Sequence, residues 1–235
     1  MLSTFAFFPA PLGALLNSGA ILLGGVIGMT LGRRMPEAMR ACIFQGLGLS
    51  VLAVGIKLTL KTASPVILIT SIVCGAGMGG LLRLEERMAA ASLWAKARLR
   101  ARDPRFSDGL VAATTIFCCG SLAVLGPLDE GVRGDLTLLS TKSFLDGLTT
   151  IAFASAYGVG ALVSCVPVLF YEGSLTVLAV KLAGSIDPKV VTELSAVAGV
   201  LTMGTGVNQL ELKRISLPNM LPALPICVAL VSWFG

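Results

Sequence analysis

Apolar residues along this chain come in long runs punctuated by short polar segments. Spanning the hydrocarbon of a bilayer takes about 20 predominantly apolar residues as a helix. Runs of that kind occupy residues 12–32, 41–60, 65–82, 109–126, 143–165, 167–184, 190–210 and 217–234. They predict an all-α fold, a polytopic integral membrane helical bundle of about eight transmembrane segments, as a single membrane domain over residues 1–235. The last run holds Pro218, Asn219, Pro222 and Pro225, so its helix is expected to be broken or short.

Small residues sort the runs further. Ala20, Gly24 and Gly28 recur at four-residue intervals with Gly32, and Asn17 shares their face. Such a stripe lets two helix backbones approach closely, which drives helix association in lipid. It serves either packing within one chain or the seam of a homodimer. Asn17 cannot face lipid cheaply and is expected to meet another helix or a pore. Ser71, Gly75 and Gly79 mark a second such face, and Gly199 and Gly206 lie with Thr202, Thr205 and Asn208 in another run.

The longest polar segment, residues 83–107, carries seven Lys/Arg against three Asp/Glu. Leu84, Met88, Ala91 and Ala95 recur at helical spacing, which predicts a basic cytoplasmic loop or an interfacial helix ended by Asp103-Pro104. Beyond Trp94 it has no interleaved aromatics, so anionic lipid is a better partner than nucleic acid. Placing 33–40, 83–107 and 211–216 on one side gathers twelve of the eighteen Lys/Arg there. The positive-inside rule then makes both termini extracytoplasmic.

Composition agrees with a lipid solvent. The chain is 55% hydrophobic and 13% charged, with a mean hydropathy of +0.88, whereas soluble domains carry about 25% charged residues. The N-terminal MLSTFAFFPAPLG lacks the basic region of a secretory signal and is expected to be retained. Histidine is absent and the six cysteines show no CxxC spacing, so neither a metal site, a disulfide framework nor a cofactor is implied. No GxSxG, phosphate-cradling glycine loop or histidine base supports an enzyme.

What chemistry there is lies in 142–173. Lys142 and Asp146 are one helical turn apart at the mouth of an apolar run. They serve either as a helix-end ion pair or as a gate or ligand. Glu172 lies inside the next run, and an ionisable group there is a functional hypothesis by default. Taken as straight helices hinged near Ser164–Pro167, these runs put Asp146 and Glu172 at opposite ends of the membrane, as two sites. Only a helix broken near Gly158–Gly160 or Gly173 would bring them together.

An inverted internal repeat is suggested by two matches. Asp108-Gly109-Leu110, Gly120, Pro127 and Glu130-Gly131 parallel Asp146-Gly147-Leu148, Gly158, Pro167 and Glu172-Gly173; Gly48 and Gly55 parallel Gly199 and Gly206. Transporters built on such repeats place their sites at broken helices near the midplane.

The stretches LLNSGAILLGGVIG, FCCGSLAVLGPLDEG, STKSFLDGLTTIAFASAYGVGALVSCVPVLFYEGSLTVLA and LPNMLPAL resemble the bacterial membrane family catalogued as domain of unknown function 554. The likeness covers nearly the whole chain except 83–107. It implies a multi-spanning inner-membrane protein and places Asn17, Asp129, Lys142, Asp146, Ser155, Ser164, Glu172, Ser174 and Asn219 at motif positions. With Asn208, these (Ser164 apart) form the expected substrate- or ion-binding set. The expected function is transport of a small solute or ion by a homodimer; the alternative is an ion channel or a structural or regulatory membrane protein.

Overall fold

A computed structural model describes residues 11–31, 36–99, 104–182 and 187–234. The expectations that rest on Gly32, Arg33, Arg34 and the 100–103 and 183–186 segments lie outside the described residues. The described residues are mostly helical, without strands. In chain order the helices are α1 (Leu12–Leu31), α2 (Glu37–Thr59), α3 (Pro65–Leu81), α4 (Leu84–Leu99), α5 (Pro104–Cys119) and α6 (Leu122–Arg133). They continue with α7 (Thr137–Tyr157), α8 (Val159–Val163), α9 (Cys165–Leu182) and α10 (Pro188–Gln209), then a short 3-10 turn at Pro218–Met220 and α11 (Ala223–Phe234).

The number of spans is lower than the sequence suggests. Among the described residues four helical stretches are long and apolar enough to cross a bilayer: Leu12–Leu31, Ala41–Thr59, Val159–Lys181 and Lys189–Gln209. The count reaches six if two bent pairs each count as one span. In one pair α3 runs into α4 with a bend of 58°; in the other α5 runs into α6 with a bend of 53°. Three of the eight runs are interrupted for visible reasons. The 109–126 run breaks at Gly120-Ser121. The 143–165 run breaks at Gly158, whose φ of +66° is one that side chains with a Cβ rarely adopt. In the 217–234 run the proline-bearing start forms the 3-10 turn, leaving α11 with 12 residues.

The hinge in the 142–173 stretch is therefore Gly158, followed by a second break at Ser164, rather than Ser164–Pro167 alone. Pro167 sits in the first turn of α9, where its missing N–H would have had no intrahelical partner.

Two glycine-lined seams organise the bundle. α1 packs most extensively on α7, and α2 on α10. A Cβ at Gly24 or Gly28 would collide with the carbonyl oxygens of Gly147 and Ile151 on α7. In the other seam, a Cβ at Gly55 would come within 2.8 Å of Gly199 O, and one at Gly206 within 2.9 Å of Gly48 O. The contacts are reciprocal across the seam, Gly55 with Gly199 and Gly48 with Gly206. The Ala20–Gly24–Gly28 stripe is thus consumed within the chain, so the homodimer expectation loses the face it was built on. Ser71, Gly75 and Gly79 likewise line the seam of α3 with the 3-10 turn and α11. α4 carries the 83–107 segment, leaves Leu93 and Trp94 exposed, and α5 begins at Pro104.

Candidate functional site

Asn17 on α1, Lys142 and Asp146 on α7, and Glu172 on α9 meet in one buried cluster. The α1–α7 seam sets the close approach of Asn17 to Asp146, and the break at Gly158 turns the chain back so that α9 returns alongside α1. The two acids therefore share a site, which corrects the expectation of two sites at opposite membrane faces.

The geometry is tight. Asn17 Nδ2 donates to Asp146 Oδ2 at 3.1 Å and to Glu172 Oε1 and Oε2 at 2.9 and 3.0 Å. Lys142 Nζ forms an ion pair with Asp146 Oδ2 and a second with Glu172 Oε1 at 3.0 Å. The same ammonium stands 5.9 Å from the centre of the Phe117 ring, within cation–π range. Glu172 and Asn17 are 0% exposed and Lys142 is 4% exposed. Asn17 Oδ1 is buried and has no hydrogen-bond partner.

A cavity of about 760 Å³ reaches this cluster. Lys142 and Asp146 line it, while the fully buried Glu172 does not. Its lining draws on both seams: Phe44 and Gln45 on α2, Thr149 and Phe153 on α7, Thr202 and Asn208 on α10. Glu85 and Arg214, paired at 3.0 Å, line it too, with the arginine side chain 90% exposed. The volume falls within the range of small-molecule sites, about 300–1,000 Å³.

The other expected site residues lie outside the cluster. Asp129 on α6 is buried but faces Arg133 Nη1 at 3.5 Å. Ser155, Ser164 and Ser174 donate to carbonyls of their own helical turns, at Ala152, Ala161 and Tyr171. Asn208 lines the cavity while closing the 208–215 turn, accepting from Ile215 N at 2.6 Å and donating to Ile215 O at 2.8 Å. Asn219 Oδ1 accepts from Glu85 N at 3.0 Å, capping the start of α4.

Two further acids, the buried Glu193 and the half-buried Glu130, hold helix ends. Glu193 on α10 accepts from Thr62 Oγ1 at 2.7 Å and from the backbone N–H groups of Ala63 at 2.7 Å and Ser64 at 3.2 Å. Glu130 on α6 accepts from Gly13 N and Thr176 Oγ1, both at 2.9 Å. Each carboxylate thereby holds the N-terminal end of a membrane helix, α3 and α1, where the helix dipole favours negative charge. The rule that flagged Glu172, an acid inside an apolar run, applies equally to Glu193. Among the described residues no group of three or more His, Cys, Asp or Glu could hold a metal ion.

A bent-helix membrane bundle enclosing a buried charged cluster defines the class of the molecule. The chain belongs to the family described as protein of unknown function (DUF554), whose profile matches residues 12–232, and the resemblance drawn from its motifs is borne out. It is 32% identical over 233 residues to the uncharacterized protein YqgA of Escherichia coli strain K12, covering 95% of this chain and 99% of that one. It is 28% identical over 231 residues to the uncharacterized membrane protein YdfK of Bacillus subtilis strain 168, covering 95% of this chain and 98% of the relative. No solved structure matches the chain.

Proposed function

We propose that this protein transports a small solute or ion across the bacterial inner membrane, with the Lys142–Asp146–Glu172 cluster at the closed end of the pathway. The observation that carries this reading is the cavity that runs from the exposed Glu85–Arg214 pair to the buried Lys142 and Asp146. A space of this size that meets buried charges inside a membrane bundle suits a solute or ion site. Broken helices at the cavity's inner end and intramembrane charges facing it are the usual makings of a transporter site. In the same proposal the basic loops face the cytoplasm and anionic lipid, and both termini face outward. Impermeant labelling of tags at each end tests that orientation.

The functional test is flux in proteoliposomes across a panel of amino acids, small amines, sugars and alkali cations. Wild-type protein is expected to move one class of these, with Glu172→Gln and Asp146→Asn abolishing the movement. If both variants carry the identified solute at the wild-type rate, the cluster is not the transport site.

A further inference from the structure

We infer that the Asn17–Lys142–Asp146–Glu172 cluster binds one exchangeable proton, taken up from the cavity by Asp146 and shared with Glu172. As the coupling ion of a transporter this rests on the preceding proposal; as a proton-binding site it stands on the cluster alone.

Charge counting comes first. The cluster holds one ammonium and two carboxylates, and among the described residues Lys142 is the cation that pairs with either acid. Among the described residues the neighbouring elements do not supply a second one. α1 and α8 carry no Asp, Glu, Lys or Arg. α6 turns Glu130 to Gly13 and Thr176, and pairs Asp129 with Arg133. On α5, Arg105 and Asp108 lie nine or more residues before Phe117, and on α9 Lys181 lies nine after Glu172, about 14 Å along each helix. On α2, Lys57 is exposed and twelve residues past the cavity wall at Gln45. With both acids ionised the cluster keeps one uncompensated negative charge at a largely buried site, which is expensive.

An orphaned atom gives the second, independent observation. Asn17 Oδ1 is fully buried and lacks a hydrogen-bond donor. An unsatisfied buried acceptor costs about 1–3 kcal/mol. A carboxyl that binds a proton gains an O–H, which is the donor this oxygen lacks. The same proton cancels the spare charge, and if the amide turns over, its O–H can donate to this oxygen in place of the Nδ2 hydrogen bonds that now face the acids. Asn17 can face the acids either way up: its NH2 suits two carboxylates, and after a half-turn its oxygen suits a carboxylic acid.

A metal ion fits less well. Hard cations such as calcium and magnesium take about six or more oxygens, whereas the carboxylates here are already met by the N–H donors of Lys142 and Asn17. The cavity gives the proton a route in. The Asp146 side chain is 13% exposed and lines the cavity, while Glu172 is 0% exposed behind it. In the uptake step hydronium in the cavity gives its proton to an Asp146 oxygen: one O–H bond breaks, another forms, water remains, and no electron is transferred.

Infrared difference spectroscopy on the purified full-length protein in nanodiscs tests this without a transported solute. On acidification between about pH 9 and pH 6, a range clear of ordinary exposed carboxyls, a carboxylic acid C=O band equal to one group per chain is expected. It should shift in D2O and disappear in Glu172→Gln or Asp146→Asn; Glu172→Asp, which keeps the acid, should retain it at a displaced midpoint. No such band in wild-type protein, or a band that survives both amide variants, overturns the proposal. So does its loss when sodium or potassium is added at constant ionic strength, since the site would then be taking a metal cation. A band without flux for any solute leaves the proton site standing and removes the transport reading; flux abolished by both amide variants, without a band in wild-type protein, does the reverse.

Discussion

Glu193 and Glu172 are both buried glutamates in apolar helices, yet they live under different rules. Glu193 is met by three donors, two of them backbone N–H groups at the start of α3. Each donor is neutral and fixed, and the helix dipole adds to them. Glu172 must share one lysine and one asparagine with Asp146. The first acid is finished as a structural cap. The second belongs to a set whose charges do not sum to zero and which touches a cavity. Burial of a charge is thus a weak sign of function by itself; incomplete compensation beside an accessible space is a stronger one.

The sharpest way to break the comparison is Lys142→Met. It removes the cation common to both acids, and losing one partner of a buried pair costs about 3–5 kcal/mol. A large fall in thermal unfolding temperature in detergent is expected, recovered in part when Asp146→Asn and Glu172→Gln are added. An unchanged temperature would mean that the lysine compensates nothing.

Next comes Glu193→Ala, which leaves two α3 backbone N–H groups and Thr62 without their acceptor, at about 1–3 kcal/mol. It is expected to lower stability in the same assay while leaving flux near wild type. Flux lost in proportion to that of Glu172→Gln would erase the distinction between cap and site.

Glu172→Gln gives the opposite pairing of outcomes. Because it removes the uncompensated charge, stability should stay within about 1 kcal/mol of wild type or rise, while transport is lost. Comparing Glu193→Gln beside it sharpens the test, since that change removes a charge that is fully used and should destabilise.

The smallest effect belongs to an acid in water. The Thr137 side chain, and then its backbone N–H, hold the exposed Asp135 carboxyl below its ordinary value. A depressed carboxyl adds stability above its unfolded pKa, about 3.9, and loses it as the pH falls through the folded value. Asp135→Asn should therefore lower the unfolding temperature slightly at neutral pH, with the difference vanishing in stronger acid.

Much of the architecture was legible in the sequence. Long apolar runs announce lipid, and glycines four or seven residues apart announce the α1–α7 and α2–α10 seams. The breaks were harder to place. Pro167 drew the hinge to itself, but a proline in the first turn of a helix disturbs little, whereas Gly158 takes a positive φ that no neighbouring residue signals. Missing that break separated Asp146 from Glu172. The roles of Asp129, Asn208 and Asn219 were equally invisible, because their partners are set by folding: Arg133 in the next turn, Ile215 across a loop, and the backbone of Glu85 from another helix. Glu193 was passed over for the same reason, its donors lying about 130 residues earlier.

Asn17 has a history as well as a place. Its partners Asp146 and Glu172 follow it by 129 and 155 residues. At synthesis rates of about 5–20 residues per second, that gap lasts roughly 6–30 seconds. For that time α1 sits in or beside the membrane with a bare carboxamide, and Gly13 N–H waits 117 residues for Glu130. α1, the earliest of the described helices, thus waits long to be secured, and chains cut short before Glu172 are expected to expose that amide and be slow to settle in the bilayer.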